Sequence, residues 1–201
     1  MNVNIIIARY QEDISWSDQY SDYRTIYNKG DTLNCESTSL PLIGREAYTY
    51  MYHVVNNYNN LADHTVFSQG HPFDHAPSFH EVVDNLLING QQENFVWLST
   101  RLIDSSLNEN KDNYLYGYEM NFEDNFFKIF KDKKVKHSFT FGAGAEFIVS
   151  KESIQKRTLD FYRNILSLIE EENDINGPLP YQLERYWRLI FDYDYAYDRN
   201  V

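Results

Sequence analysis

The segment Gln69-Gly-His-Pro-Phe-Asp-His75 holds two imidazoles and a carboxylate within five residues. Such a set can bind a divalent metal such as Mn²⁺ or Zn²⁺, which makes His71, Asp74 and His75 candidate ligands. Pro72 argues against a helix here, so the spacing of the two histidines does not imply one helical face. The alternative is a solvated turn in which Asp74 caps a helix. Gln69 and Gly70, directly after an apolar run, suggest that a backbone or ligand comes close. A second group is cationic. Arg9 ends the first apolar run and leads into Tyr10, Gln11, Glu12 and Asp13, while Asn28, Lys29 and Asp31 follow the second run. Gly44-Arg45-Glu46 opens a periodic segment, so Arg45 falls beside free backbone N–H groups. Arg9, Arg45 and that helix end together could hold an anionic group; otherwise Arg45 and Glu46 decorate a surface helix. Two acids complete the set. Glu146 sits in Phe141-Gly-Ala-Gly-Ala-Glu-Phe147, where small residues admit a ligand or another backbone, unless the segment is a bulged strand with Glu146 exposed. It is not a phosphate loop, because GxGxxG is absent and no Lys-Ser/Thr follows. Glu184 begins the last helix, where the dipole favours an acid in any case.

These residues need elements to position them. Val3 to Ala8 is apolar except for Asn4, short enough for a strand covered on both faces. Tyr23 to Tyr27 reads as a second strand, closed by a turn at Asn28-Lys-Gly-Asp31. Ala47, Tyr50, Met51, Val54, Val55 and Tyr58 recur at helical spacing between Gly44 and Tyr58. A third strand follows at Thr65 to Ser68. Ser78 and Glu81 suggest a capping box for a helix that buries Phe79, Val82, Val83, Leu86 and Leu87. Phe95 to Leu98 suits another strand, and Phe139 to Ser150 a strand interrupted by glycines. Two further helices carry Tyr162, Ile165, Leu166 and Ile169, then Leu183, Tyr186, Trp187 and Ile190, with the breaker Gly177-Pro-Leu-Pro180 between them. This order predicts a mostly parallel α/β sheet flanked by helices. Ligands then bind beyond the carboxyl ends of the strands, in the loops that carry the candidate residues.

The 201 residues suit one domain spanning 1–201. With 42% hydrophobic and 16% aromatic residues, a core can be buried, which excludes a disordered chain. Acids outnumber bases 30 to 18, for a net charge of −12. Such a surface repels nucleic acid and anionic lipid, so any phosphorylated ligand needs a cation or a local basic cluster. The lone Cys35 forms no internal disulfide, which suits a reducing compartment. No stretch approaches the roughly 20 apolar residues of a membrane span, and the start reads as a strand rather than a leader. The expectation is a soluble, cytoplasmic protein.

Several segments together carry a resemblance: Ile7-Ala-Arg-Tyr-Gln-Glu-Asp-Ile-Ser-Trp16, Tyr27-Asn-Lys-Gly30, Gly44-Arg-Glu-Ala-Tyr-Thr-Tyr50 and Val66-Phe-Ser-Gln-Gly-His-Pro-Phe-Asp-His75. Ala145-Glu-Phe-Ile-Val-Ser-Lys-Glu152 and Leu183-Glu-Arg-Tyr-Trp187 extend it over nearly the whole chain. The sequence resembles an uncharacterised domain family of fungi and bacteria, and the small glycosyltransferase domain encoded by large algal viruses. The resemblance implies a GT-A-type fold and metal-assisted transfer of a sugar from a nucleotide-sugar donor, most simply a UDP-sugar, to a glycan or other hydroxyl acceptor. It implies that Ala8, Arg9, Tyr10, Glu12, Asn28, Lys29, Gly44, Arg45, Gln69 and Gly70 hold the donor. His71, Asp74 and His75 would hold Mn²⁺ or Mg²⁺, although the chain lacks a literal Asp-x-Asp after the third strand. Glu184, with Glu146 as competitor, would be the base.

The chemistry is coherent, because a departing nucleoside diphosphate needs its charge neutralised by a divalent cation or by Arg and Lys. An inverting reaction also needs a carboxylate to take the acceptor proton. Tyr10 and Trp16 are candidates for stacking on a base or sugar. Two other classes share some of these features: a metal-dependent phosphoesterase, and a non-catalytic carbohydrate-binding module built on the aromatic residues.

Overall fold

A computed structural model describes residues 1–91, 93–107, 114–115 and 118–197. Along the chain run β1 (Val3–Arg9), β2 (Arg24–Asn28), β3 (Thr38–Ser39), α1 (Arg45–Asn57), β4 (His64–Gln69), α2 (Phe79–Asn89), β5 (Phe95–Trp97) and β6 (Leu102–Ser106). They are followed by β7 (Tyr114–Leu115), β8 (Tyr118–Glu119), α3 (Phe122–Phe130), β9 (Ser138–Gly142), β10 (Phe147–Ser150), α4 (Lys151–Gln155), α5 (Leu159–Glu172), α6 (Pro178–Phe191) and α7 (Tyr193–Tyr197). Short 3-10 turns occupy Ser15–Tyr20 and Pro72–Asp74.

Six strands pair in the order β3-β2-β1-β4-β10-β5. The first four run parallel, and β10 is antiparallel to both of its neighbours. Alternation along β1 decides which layer each side chain joins. Ile6 packs with α1, α5 and α6 on one face, whereas Val3, Ile5 and Ile7 pack with α2 on the other. On the first face, Tyr50, Phe67, Phe147, Trp187 and Phe191 are fully buried ring against ring, with Phe67 and Phe147 centroids 5.0 Å apart. Truncating one such ring to Ala costs roughly 3–5 kcal/mol, so this aromatic floor contributes heavily to the stability of the fold. Among the described residues no helix is long and apolar enough to cross a membrane.

Register aligns the carboxyl ends of the parallel strands. Arg9 lies opposite Asn28, and Ala8 opposite Gln69. The chain leaves β1 towards β2 on one side and then returns through α1 to β4 on the other side. The space between the ends of β1 and β4 is therefore a topological switch point.

Three local expectations are corrected. Ser78 stands at the N-cap of α2 but its side chain accepts no hydrogen bond, so no capping box forms. The Gly-interrupted strand is two strands in different sheets: β9 pairs with β6, while β10 joins the main sheet. Pro178 and Pro180 lie inside the first turn of α6, where the missing N–H costs nothing, and this moves Glu184 one turn deeper than a helix start. Asp192 caps α6 ahead of α7, and Asp198 lies outside the described residues.

Candidate functional site

Two adjoining pockets open at the carboxyl edge. The first encloses about 360 Å³ and is lined at its strand ends by Ala8, Arg9, Tyr10, Lys29 and Gln69, and from α1 by Arg45, Glu46 and Thr49. Glu12, Leu42, Ile175 and Asn176 complete the wall. The second encloses about 320 Å³ between Gln69, His75, Arg101, Phe141, Gly144, Tyr181, Glu184 and Arg185. Arg45, Glu46 and Gln69 line both, so the pockets form one cleft with a shared waist. Each has the size of a small-molecule site. A wider depression of about 630 Å³ lies at the opposite edge of the sheet, among Asp63, Lys151, Glu152 and Lys156; no parallel strand ends there.

In the first pocket the loops are tied to one another before any ligand arrives. Arg9 is buried, and its Nη1 donates to Asn28 Oδ1 and to the Asp31 carbonyl, both at 2.7 Å. Its Nε donates to the Glu12 carbonyl at 3.2 Å. Arg9 thus clamps the loops after β1 and β2 where it lines the pocket. Asn28 in turn receives the Gly30 N–H at 3.0 Å. Lys29 Nζ donates to the Ile43 carbonyl at 2.7 Å and also to the Arg45 carbonyl. Burial pushes its pKa down to about 7, against which the Glu46 carboxylate pulls upward. Gly44 and Arg45 both adopt left-handed backbone, at φ 60° and 46°. That conformation is strained for Arg45, and it aims the head of α1 into the waist. Thr49 Oγ1 is buried there without a hydrogen-bond partner.

The expected close approach at Gln69-Gly70 is made by a side chain. A Cβ on Gly70 would stand 2.6 Å from Glu12 Oε2, and that oxygen also accepts the Tyr10 N–H at 2.6 Å. Tyr10 is 44% exposed at the rim. Trp16 is committed elsewhere: its indole N–H donates to the Gly70 carbonyl at 2.8 Å, and its ring meets Phe73 and Phe79 edge-on. It is not free to stack on a ligand.

Three carboxyl groups gather near the waist. Glu46 is buried, and burial pushes its pKa up, opposed by the Arg45 guanidinium 3.7 Å away. Glu146 precedes β10 and is fully buried; neither of its oxygens makes a well-formed hydrogen bond. Burial, then repulsion from Glu46 and Glu184, pushes its pKa up to about 10, so it holds its proton at neutral pH. The exposed-face alternative for Glu146 is thereby overturned. Glu184 is half-buried, opens to the second pocket and accepts the Gly144 N–H at 2.8 Å. Gly144 itself has φ 96°, and a Cβ there would collide with Glu146 and His75. Of the two candidate bases, Glu184 has access to a substrate, whereas Glu146 is sealed behind it.

The His/Asp loop separates. His71 Nε2 lies 3.7 Å from Asp74 Oδ1 in an exposed turn, where Asp74 is 79% exposed. His75 instead lines the second pocket. Among the described residues no three His, Cys, Asp or Glu side chains are grouped to hold a metal ion. The donor set His71, Asp74 and His75 therefore does not fit a three-ligand metal cage. Sequence reasoning missed Arg101, Tyr181 and Arg185, and it missed the burial of Glu46. None of these has a local signal, because each joins the cleft only through long-range packing.

Residues 5–200 match the model of the family DUF3431, described as a protein of unknown function. No curated protein and no solved structure matches the chain.

Proposed function

The chain belongs to the DUF3431 family, and within it we propose a nucleotide-sugar-dependent glycosyltransferase of GT-A type. The observation that carries this reading is the two-chambered cleft at the switch point, basic in its first chamber and holding an accessible carboxylate in its second. Arg9, Lys29 and Arg45 suit a diphosphate, and Tyr10 at the rim suits the base of the nucleotide. The donor sugar would lie across the waist, facing Glu184.

In a direct displacement the acceptor oxygen bonds to the sugar's anomeric carbon as the bond from that carbon to the diphosphate oxygen breaks. The electron pair leaves with the nucleoside diphosphate, whose charge the cations offset. The acceptor proton passes to Glu184. Glu146, protonated behind it, keeps a second negative charge out of the waist. Mn²⁺ or Mg²⁺ would arrive as a companion of the diphosphate and would help to neutralise its charge.

Thermal-shift titration with UDP, with Mn²⁺ and with excess EDTA, tests binding, because a ligand selective for the native state raises Tm. Release of UDP from UDP-sugars on adding acceptors tests transfer. Release of inorganic phosphate instead would indicate a phosphoesterase. Glycan binding without any nucleotide effect would indicate a carbohydrate-binding module.

A further inference from the structure

We infer that the second pocket takes an acceptor carrying an anionic group, a carboxylate or phosphate, beside its reacting hydroxyl. The inference rests on the transferase reading for the word acceptor; the pocket's charge stands independently of it. Acids outnumber bases in the chain, yet the cleft reverses the sign. Arg9, Lys29, Arg45, Arg101 and Arg185 line it against Glu12, Glu46 and Glu184. The first-pocket cations account for a diphosphate, which leaves Arg101 and Arg185 in the second pocket unexplained by the donor.

Those two guanidiniums are positioned differently. Arg185 lies on α6, donates from Nη1 to the Tyr181 carbonyl at 2.6 Å and stacks 5.2 Å from the Phe141 ring centroid. Arg101 has a fixed root and a projecting head. Its N–H donates to Ser99 Oγ at 3.2 Å and its carbonyl accepts the Ala143 N–H at 3.1 Å. Its side chain is exposed, and no carboxylate among the described residues pairs with it. Across the pocket the Tyr181 ring lies under the Arg45 guanidinium, 5.1 Å from its centroid, as Phe141 lies under Arg185, while Glu184 is placed to accept a hydroxyl proton. A guanidinium fork matches carboxylate and phosphate geometry. The pocket thus places anion recognition on the far side of a hydroxyl-binding carboxylate.

The test titrates the full chain with matched probes at low salt: methyl β-D-glucuronide against methyl β-D-glucoside, and glucose 6-phosphate against glucose. At least one anionic probe should bind about tenfold or more tightly than its neutral partner, and the two arms tell which anion is preferred. That preference should collapse in Arg101→Gln, weaken at high salt, and persist with UDP saturating the first pocket. Equal binding of charged and neutral probes, no binding of any probe, displacement of the anion by UDP, or an undiminished preference in Arg101→Gln would overturn the inference. If the anionic probe binds and UDP does not, the transferase reading fails while the anion pocket stands. If UDP binds and the anion preference is absent, the reverse holds.

Discussion

The two chambers of the cleft are built in opposite ways. The first is assembled mainly from the ends of β1, β2 and β4 and the head of α1, and two of its cations are already engaged. Arg9 bonds to Asn28 and Asp31, and Lys29 bonds to the Ile43 and Arg45 carbonyls at the start of α1. The second is assembled from the turn after β4, the residues before β6, the β9–β10 corner and α6, and Arg101 lines it with no carboxylate partner among the described residues. A preorganised chamber binds without further ordering of its side chains, whereas an open one leaves charge to be satisfied by its ligand. This difference separates a pocket suited to an invariant diphosphate from one suited to a selective substrate.

The largest effect that would break this division is at Glu184. Glu184→Gln preserves size and can still accept the Gly144 N–H, so Tm should hold while kcat falls roughly 10²-fold or more. A stability loss with full turnover would make Glu184 a structural tie and pull the chemistry out of the second chamber. Lys29→Met probes the first chamber. UDP affinity should fall about tenfold at pH 6, the scale of one charge-assisted hydrogen bond. Because the wild-type lysine loses its proton near pH 7, the gap should narrow by about pH 8.5. A gap constant with pH would mean that Lys29 acts only through the carbonyls it holds.

A smaller and slower-varying effect is expected at the waist. Burial keeps Glu146 protonated in the folded protein up to about pH 10, against an ordinary carboxyl value of 4.5 when unfolded. Between those values the unfolded chain releases a proton that the folded chain keeps, so this group makes stability fall as pH rises. Glu146→Gln removes that dependence. The Tm of the variant relative to wild type should be lowest near pH 5 and should climb towards pH 9. Lys29, whose folded pKa is depressed, drives stability the opposite way above pH 7, but it is common to both proteins and cancels. A difference that is flat with pH would place an ionised Glu146 in the core. The smallest effect is outside the cleft: Asp74→Ala alters an exposed turn, and Tm should stay within about 1 °C. A large loss of UDP binding in that variant would bring the His/Asp loop back into the site.

Much of the first chamber was legible in the sequence, because its information is local. An apolar run ending in Arg9, a helical period opening at Gly44 and a strand ending at Gln69 each specify an element and the loop that follows. Parallel strands put those loops on one edge. The second chamber was not legible. Arg101, Phe141 and Arg185 show no spacing that links them, and Glu184 reached it only because two prolines start α6 earlier than a breaker would allow.

By itself, the sequence determined the mostly parallel sheet, the flanking helices and the edge that gathers the loops after β1, β2 and β4, since periodicity and turn chemistry act over a few residues. Only the tertiary structure decided the charge states at that edge. Burial of Glu46 and Glu146, the neutral tendency of Lys29 and the parting of His75 from His71 and Asp74 all depend on which distant atoms exclude water. Desolvation and through-space repulsion depend on three-dimensional neighbours, which spacing along the chain does not encode.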